Sequence, residues 1–322
     1  MLVEDQHPLN KSIMVSVLGV PNVGKSSLIN YLMGMNLTVV TTKPQTTRNK
    51  FHCILTVDRT EIVLVDTPGL HTTNQEFNKR LNQQATEGIV GADVNLFLVD
   101  LKRNVLAQLE ECKRHFEDDI GKSWLVFTKT DLIDNAEELP LAEVFELAKG
   151  IFPSLERYFS LSPKTGDNVH LLTGAICDEA KDGPHLYGGE VSNKNERFFA
   201  TEYIREQTFE LLKDEIPYET AVVIDEYKDF REKETKTKLA SHISASILVN
   251  RPSQRAIVIG SKGSMIKEIG TRSRKKIEAM VGGQVHLNLH VKVSPKWFKN
   301  NFVLEELGLP RAQTSNRVWR AK

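Results

Sequence analysis

Hydrophobic and polar positions along this chain change period many times, and the changes divide it into two stretches. In the first, short apolar runs of β type alternate with amphipathic stretches of helical period. Strands are predicted over 13–18, 51–57, 61–65, 94–99, 124–127 and 158–161, and helices over 25–33, 78–91, 106–116 and 141–151. Such alternation implies an α/β fold with a doubly wound, mostly parallel sheet, and ligands at the carboxyl ends of its strands. Residues 182–195 carry Gly, Pro, Asn and Ser with neither period, and read as a linker. Beyond it the pattern predicts a helix over 196–215, strands over 220–227 and 243–250, two helices over 264–270 and 271–281, a strand over 285–293 and a final helix over 297–307. The expected division is 1–182, a linker 183–195, a second domain 196–310 and a basic tail 311–322.

The first strand runs into Gly19-Val20-Pro21-Asn22-Val23-Gly24-Lys25-Ser26-Ser27, a phosphate-loop pattern in its strand, loop and helix context. A polyphosphate is best held by backbone N–H groups converging at the positive end of a helix, and Gly19 and Gly24 let the backbone turn and approach closely. Lys25 supplies a point charge for the β and γ phosphates, and the Ser26 hydroxyl suits a bridging Mg2+. In the threonine-rich stretch that follows, one hydroxyl can complete the magnesium shell. Thr47 fits best, with Thr46 second. The strand over 61–65 delivers Asp66-Thr67-Pro68-Gly69, an acid that can reach the metal through water and a glycine whose N–H can meet a γ-phosphate. The strand over 124–127 ends in Thr128-Lys129-Thr130-Asp131. A carboxylate there accepts from both the ring N–H and the exocyclic amine of guanine, a donor pair that adenine lacks. Ser162-Pro163-Lys164 can touch the base from the far side.

Charge changes the picture of the second half. The net charge of zero over 322 residues conceals −7 over residues 1–182 and +7 over 183–322, with +11 from Arg251 onward. An acidic half joined to a basic half suits a protein of which one end meets a polyanion. Helix, two strands, a glycine clamp between helices and then a strand is the order of a KH domain of the second type. In such a module a GxxG loop, here Gly260-Ser261-Lys262-Gly263 after Ile259, brings backbone close to nucleotide phosphates. Lys267, Arg272, Arg274, Lys275 and Lys276 add charge nearby, and Arg311, Arg317, Arg320 and Lys322 lie in the tail.

Three cysteines, Cys53, Cys112 and Cys177, are widely spaced without a CxxC pair, which argues against a disulfide framework or a zinc site and for a reducing compartment. The N-terminus lacks a basic start followed by an apolar core, and no apolar run approaches membrane-spanning length. A cytoplasmic protein is expected.

Through Gly-Val-Pro-Asn-Val-Gly-Lys-Ser, Pro-Gln-Thr-Thr-Arg, Asp-Thr-Pro-Gly-Leu-His and the KH-like end with its tryptophan, the chain resembles the Era GTPases over nearly all of 12–310. The resemblance implies a P-loop GTPase that hydrolyses GTP slowly with Mg2+, binds the 3′ end of small-subunit ribosomal RNA and assists assembly of the small ribosomal subunit. It also implies a monomer, with loose peripheral association with the inner membrane in some members. Residues 22–27 match the family phosphate loop, Thr47 its magnesium threonine, Asp66 and Gly69 its second switch and Asp131 its guanine reader. Two positions depart. Thr128 stands where Asn is usual, removing an amide donor, and Ser162-Pro163 replaces a Ser-Ala start. Leu70 stands where Ras-like GTPases carry a water-orienting glutamine, and Asn22 suggests a K+ ion supplying transition-state charge. The alternative reading is a constitutive RNA-binding assembly factor whose nucleotide site is structural.

Overall fold

The computed structural model describes residues 7–41, 43, 47–70, 76–116, 120–135, 139–231 and 239–309. Thr46 and the tail 311–322 lie outside them. The first half builds one sheet from β1 (Lys11–Leu18), β2 (Phe51–Val57), β3 (Thr60–Asp66), β4 (Val94–Asp100), β5 (Ser123–Thr128) and β6 (Leu155–Ser160), in the order β2-β3-β1-β4-β5-β6. β2 runs antiparallel to β3, and the neighbours from β3 to β6 are parallel. All seven residues of β3 and all seven of β4 are buried, as expected for strands covered on both faces. The helices are α1 (Lys25–Met33), α2 (Glu76–Glu87), α3 (Val105–Lys113), α4 (Leu141–Lys149) and α5 (Val169–Glu179). α5 was not among the predicted elements; its Val169, Leu172 and Ile176 form the buried stripe.

The stretch read as a linker is bonded to the sheet over much of its length. β7 (Lys181–Asp182) pairs antiparallel with the start of β1. The backbone N–H groups of Leu186 and Tyr187 donate to the buried Glu61 carboxylate at 2.7 and 3.1 Å. Further on, Ile54 donates to the Val191 carbonyl at 3.0 Å and the Ser192 hydroxyl to that of His52 at 2.6 Å. The segment therefore straps the β2 edge and covers hydrogen-bonding groups that an open edge would expose.

The second half comprises α6 (Glu196–Leu211), β8 (Ala221–Asp229), β9 (Leu239–Val249), α7 (Pro252–Ile259), α8 (Ser264–Val281), β10 (Gln284–Val293) and α9 (Asn301–Glu306). β9 lies between β8, antiparallel, and β10, parallel. The two helices predicted over 264–281 are one. Gly270 does not break α8, since one helical glycine costs only about 1 kcal/mol, and Leu289 of β10 packs against it, 3.4 Å from where a Cβ would sit. Ile269, Ser273, Ile277 and Val281 form its buried stripe at i+4 spacing. The final predicted helix is divided into a single turn, Trp297–Lys299, and α9.

The two halves share a second, smaller core. Phe77 and Leu81 of α2 pack with Ala221, Leu248, Trp297, Leu304 and Leu309, and the Phe77 and Trp297 rings meet edge to face at 5.5 Å. Arg80 donates to the Leu309 carbonyl at 2.9 Å and to Asn301 Oδ1 at 2.6 Å.

Candidate nucleotide and RNA sites

At the carboxyl ends of β1 and β3 a cleft of about 380 Å³ is bordered by Pro21, Asn22, the N-terminus of α1, Val39, Thr41, Thr47, Gly69 and Lys129. The chain enters it at Gly19, where φ is +145° and a Cβ would stand 2.5 Å from the Leu98 carbonyl oxygen, so only glycine fits. Asn22 and Gly24 take positive φ of 64° and 102° and aim the start of α1 into the cleft, the arrangement that suits an anion. Lys25 lies buried with Nζ 3.0 and 3.1 Å from the carbonyls of Gly19 and Val20, a loop closed on its own ammonium.

Three hard oxygen groups meet beside it. Ser26 Oγ is 3.3 Å from Thr47 Oγ1, which lies 3.4 Å from Asp66 Oδ2. Asp66 is fully buried, and its Oδ1 has no hydrogen-bond partner among the described residues. Burial pushes the Asp66 carboxyl up and the Lys25 ammonium down, each partly offset by the opposite charge of the other. An unmet carboxylate oxygen beside two hydroxyls is a donor set suited to Mg2+. Gly69 is wedged against the phosphate loop: a Cβ on it would sit 2.9 Å from the N and Cα of Pro21. Leu70, next in sequence, donates its N–H to Gly19 at 3.2 Å and buries its side chain completely in the core.

The residues expected to meet the base gather at the ends of β5 and β6. Lys129 takes φ 63° and pairs with Asp100 at 2.6 Å, and the turn it opens, Thr130–Leu132, holds Asp131. Asp131 accepts from the buried Ser162 hydroxyl at 2.7 Å, with Lys164 at 3.8 Å and Pro163 buried between them. Thr128, at the end of β5, turns its hydroxyl toward the 19–24 loop. Its hydroxyl lies 2.6 Å from the Val23 carbonyl and 3.0 Å from that of Val99, and its one proton serves the closer. The 19–24 loop is thereby tied to the end of β5.

Sequence reasoning gave no role to Asp100, Val39 or Arg48. Asp100 was findable, since it is an acid ending an apolar strand, as Asp66 is. Arg48 was not, because its partners are remote. Its guanidinium lies 5.3, 5.2 and 6.0 Å from the rings of Phe77, Phe209 and Trp297, and Nη1 donates to the Thr220 carbonyl at 2.9 Å. Lys43 donates to the Phe209 and Leu212 carbonyls at the end of α6. Lys43 and Arg48, the latter adjacent to Thr47, are therefore anchored in the other half of the chain.

In the second half the GxxG loop separates α7 from α8. Gly260, Lys262 and Gly263 all have positive φ, of 74°, 49° and 80°. A Cβ at Gly260 would collide with Met265 at 2.7 Å, whereas one at Gly263 would meet open space. Ile259 is half-buried and Ser261 exposed. Lys262, Lys267 and Lys275 are exposed and have no carboxylate partner among the described residues. The other cations are engaged: Arg272 with Glu268 at 2.7 Å, Arg274 with Glu278 at 3.9 Å and Lys276 with Glu206 at 2.6 Å. The exposed Arg272 pair is worth only tenths of a kcal/mol and exchanges readily for phosphate.

Two family models match the chain in turn. Residues 14–129 match the model of a 50S ribosome-binding GTPase family, and residues 215–298 match that of a KH domain. A GTPase Era from Thermotoga maritima is 38% identical over 301 residues, covering 93% of this chain and 97% of the relative; one from Leuconostoc citreum is 37% identical over 306. Among solved structures, Era in complex with MgGDPNP and nucleotides 1506–1542 of 16S ribosomal RNA superposes with a TM-score of 0.86 at 28% identity, covering 94% of this chain and all of the other. A variant of Aquifex aeolicus Era bound to GDP and AlF4− superposes with 0.84 at 29% identity, with the same coverage.

Proposed function

We propose, from the premise that this chain belongs to the Era family of GTPases, that it uses the GTPase cycle to time its hold on the 3′ end of small-subunit ribosomal RNA during assembly of the small ribosomal subunit. The observation that carries this reading is the anchoring of the Thr47 segment in the RNA-binding half, which gives a nucleotide-dependent movement a mechanical route to the KH module. The solved relative held with both MgGDPNP and 16S ribosomal RNA supports it.

In this reading Lys25 leaves the Gly19 and Val20 carbonyls for the β and γ phosphates, and the N-terminus of α1 receives the remaining charge. Mg2+ would be held by Ser26, Thr47 and, through water, Asp66, where it neutralises charge on the β and γ oxygens. Gly69 presents its backbone N–H to the γ-phosphate. Asp131 reads guanine, with Lys129 and Ser162-Pro163-Lys164 walling the base. Because Leu70 is committed to the core, no side chain at that position orients water, and turnover is slow, on the order of 10⁻⁴ to 10⁻² s⁻¹. Asn22, at the mouth of the cleft, is the residue through which K+ would supply extra positive charge. Hydrolysis is expected to run faster in KCl than in NaCl at equal ionic strength; equal rates would remove the ion from the mechanism.

When GTP orders Thr47 and Gly69, Arg48 and α2 must adjust against Phe209 and Trp297, and the KH face adjusts with them. RNA is gripped by the backbone of residues 259–263 and by Lys262, Lys267, Arg272 and Lys275. Gly263→Asp adds a carboxylate at open space facing the bound phosphates and strains a φ of 80°. It is expected to weaken binding of a 3′-end RNA by about 10- to 100-fold, the cost of a charged hydrogen bond lost to repulsion. A filter-binding titration checks this, and unchanged affinity would place the RNA elsewhere. Among the described residues no helix is long and apolar enough to cross a membrane. The reading places the chain in the cytoplasm, with at most peripheral contact with the inner membrane.

A further inference from the structure

Between the two halves lies a second cavity of about 250 Å³, to which Arg48, Lys50, Lys194, Arg197 and Arg205 all contribute. We propose that this interdomain cavity binds a small tetrahedral oxyanion of the phosphate type, which bridges the two halves.

Arg48 donates to the Thr220 carbonyl at 2.9 Å, Arg197 to that of Ile224 and Lys50 to that of Glu87 at 3.2 Å, while Lys194 lies 5.5 Å from the centre of the Phe198 ring. These partners are neutral; they meet hydrogen-bonding capacity without cancelling charge. Of the acids at hand, Glu202 is spent on Arg205, through a 3.0 Å bond from Nε and an ion pair to Nη2, and Glu87 reaches Lys50 only at 3.9 Å. Glu306 lines the cavity from α9 but is exposed. Arg48 and Arg205 are 6% and 3% exposed, and Arg48 Nε and Arg205 Nη1 have no acceptor among the described residues. Uncompensated buried cations are expensive, and the cost shows. Burial and then Arg205 pull Arg48 down to about 9, against the attraction of Glu202, and burial and Lys50 hold Lys194 below its ordinary value.

A phosphate has the charge and the number of acceptor oxygens to meet several such donors at once, and guanidinium forks match its geometry. The space is roomy enough for it with accompanying water. Lys50 and Arg48 come from the switch side, Lys194 and Arg197 from the linker and α6, so the anion would hold switch and KH module in one arrangement.

The test is calorimetric titration of inorganic phosphate into the full chain at constant ionic strength, with the nucleotide cleft filled by Mg·GDPNP. Saturable binding of one phosphate is expected, weakened roughly tenfold or more by Lys194→Glu or Arg197→Gln and unchanged by Lys262→Ala. Lys194 is partly exposed, and circular dichroism and basal GTP hydrolysis of Lys194→Glu are expected to match the parent. No heat beyond that of chloride, or equal affinity in Lys194→Glu, overturns the proposal. So does displacement of the phosphate, mole for mole, by 3′-end RNA, which would make the cavity part of the RNA site.

Discussion

Asp131→Asn is expected to lower GTP affinity on the order of 10³-fold and to raise affinity for the xanthosine nucleotide. The carboxylate is 10% exposed and is held by the Ser162 hydroxyl, a donor that an amide oxygen also accepts. The fold around the turn is therefore preserved, while the amide NH2 now opposes the exocyclic amine of guanine, donor against donor. Xanthine offers an oxygen at that position and restores the pair. Competition between fluorescent GDP and unlabelled GTP, XTP and ATP measures the switch. Unchanged GTP binding would mean that the base is read by other groups.

Lys25→Ala is expected to reduce GTP hydrolysis on the order of 10²- to 10³-fold, the scale on which removing one charged group from a developing transition state acts. The substitution removes an ammonium that burial already disfavours and that serves the Gly19 and Val20 carbonyls in the structure. Stability should change little beside the catalytic loss, which a thermal melt tests alongside single-turnover kinetics. The same variant separates the regulated GTPase from a constitutive RNA-binding factor. With hydrolysis gone, release of 3′-end RNA should stall in the first case. In the second, release and subunit maturation would proceed unaltered, and the nucleotide site would be structural.

Much of the nucleotide site was legible because its motifs impose backbone geometry over a few residues. Gly19, Gly24 and Gly69 stand where positive φ or close approach excludes a side chain, and an acid or threonine after an apolar run lands at the strand ends that line the cleft. The GxxG loop was legible for the same reason. The strap over β2, the unbroken α8 and the missed α5 were not. Gly-, Pro- and Asn-bearing composition suits a strap as well as a free linker, and a single glycine such as Gly270, packed against Leu289, reads equally as a helix stop or a helix interior.

By itself, then, the amino-acid order determined where the glycine loops and the hydroxyls and acids at the strand ends fall and that a basic GxxG half follows an acidic α/β half, since each rests on short-range spacing. Tertiary structure alone decided how the parts are joined: Thr128 binding the phosphate loop, Arg48 seated among Phe77, Phe209 and Trp297, and five cations drawn to one cavity from both halves. Those partners are separated by up to about 250 residues, and which distant side chains meet is set by how the sheets and helices pack against one another, a choice that no local pattern encodes.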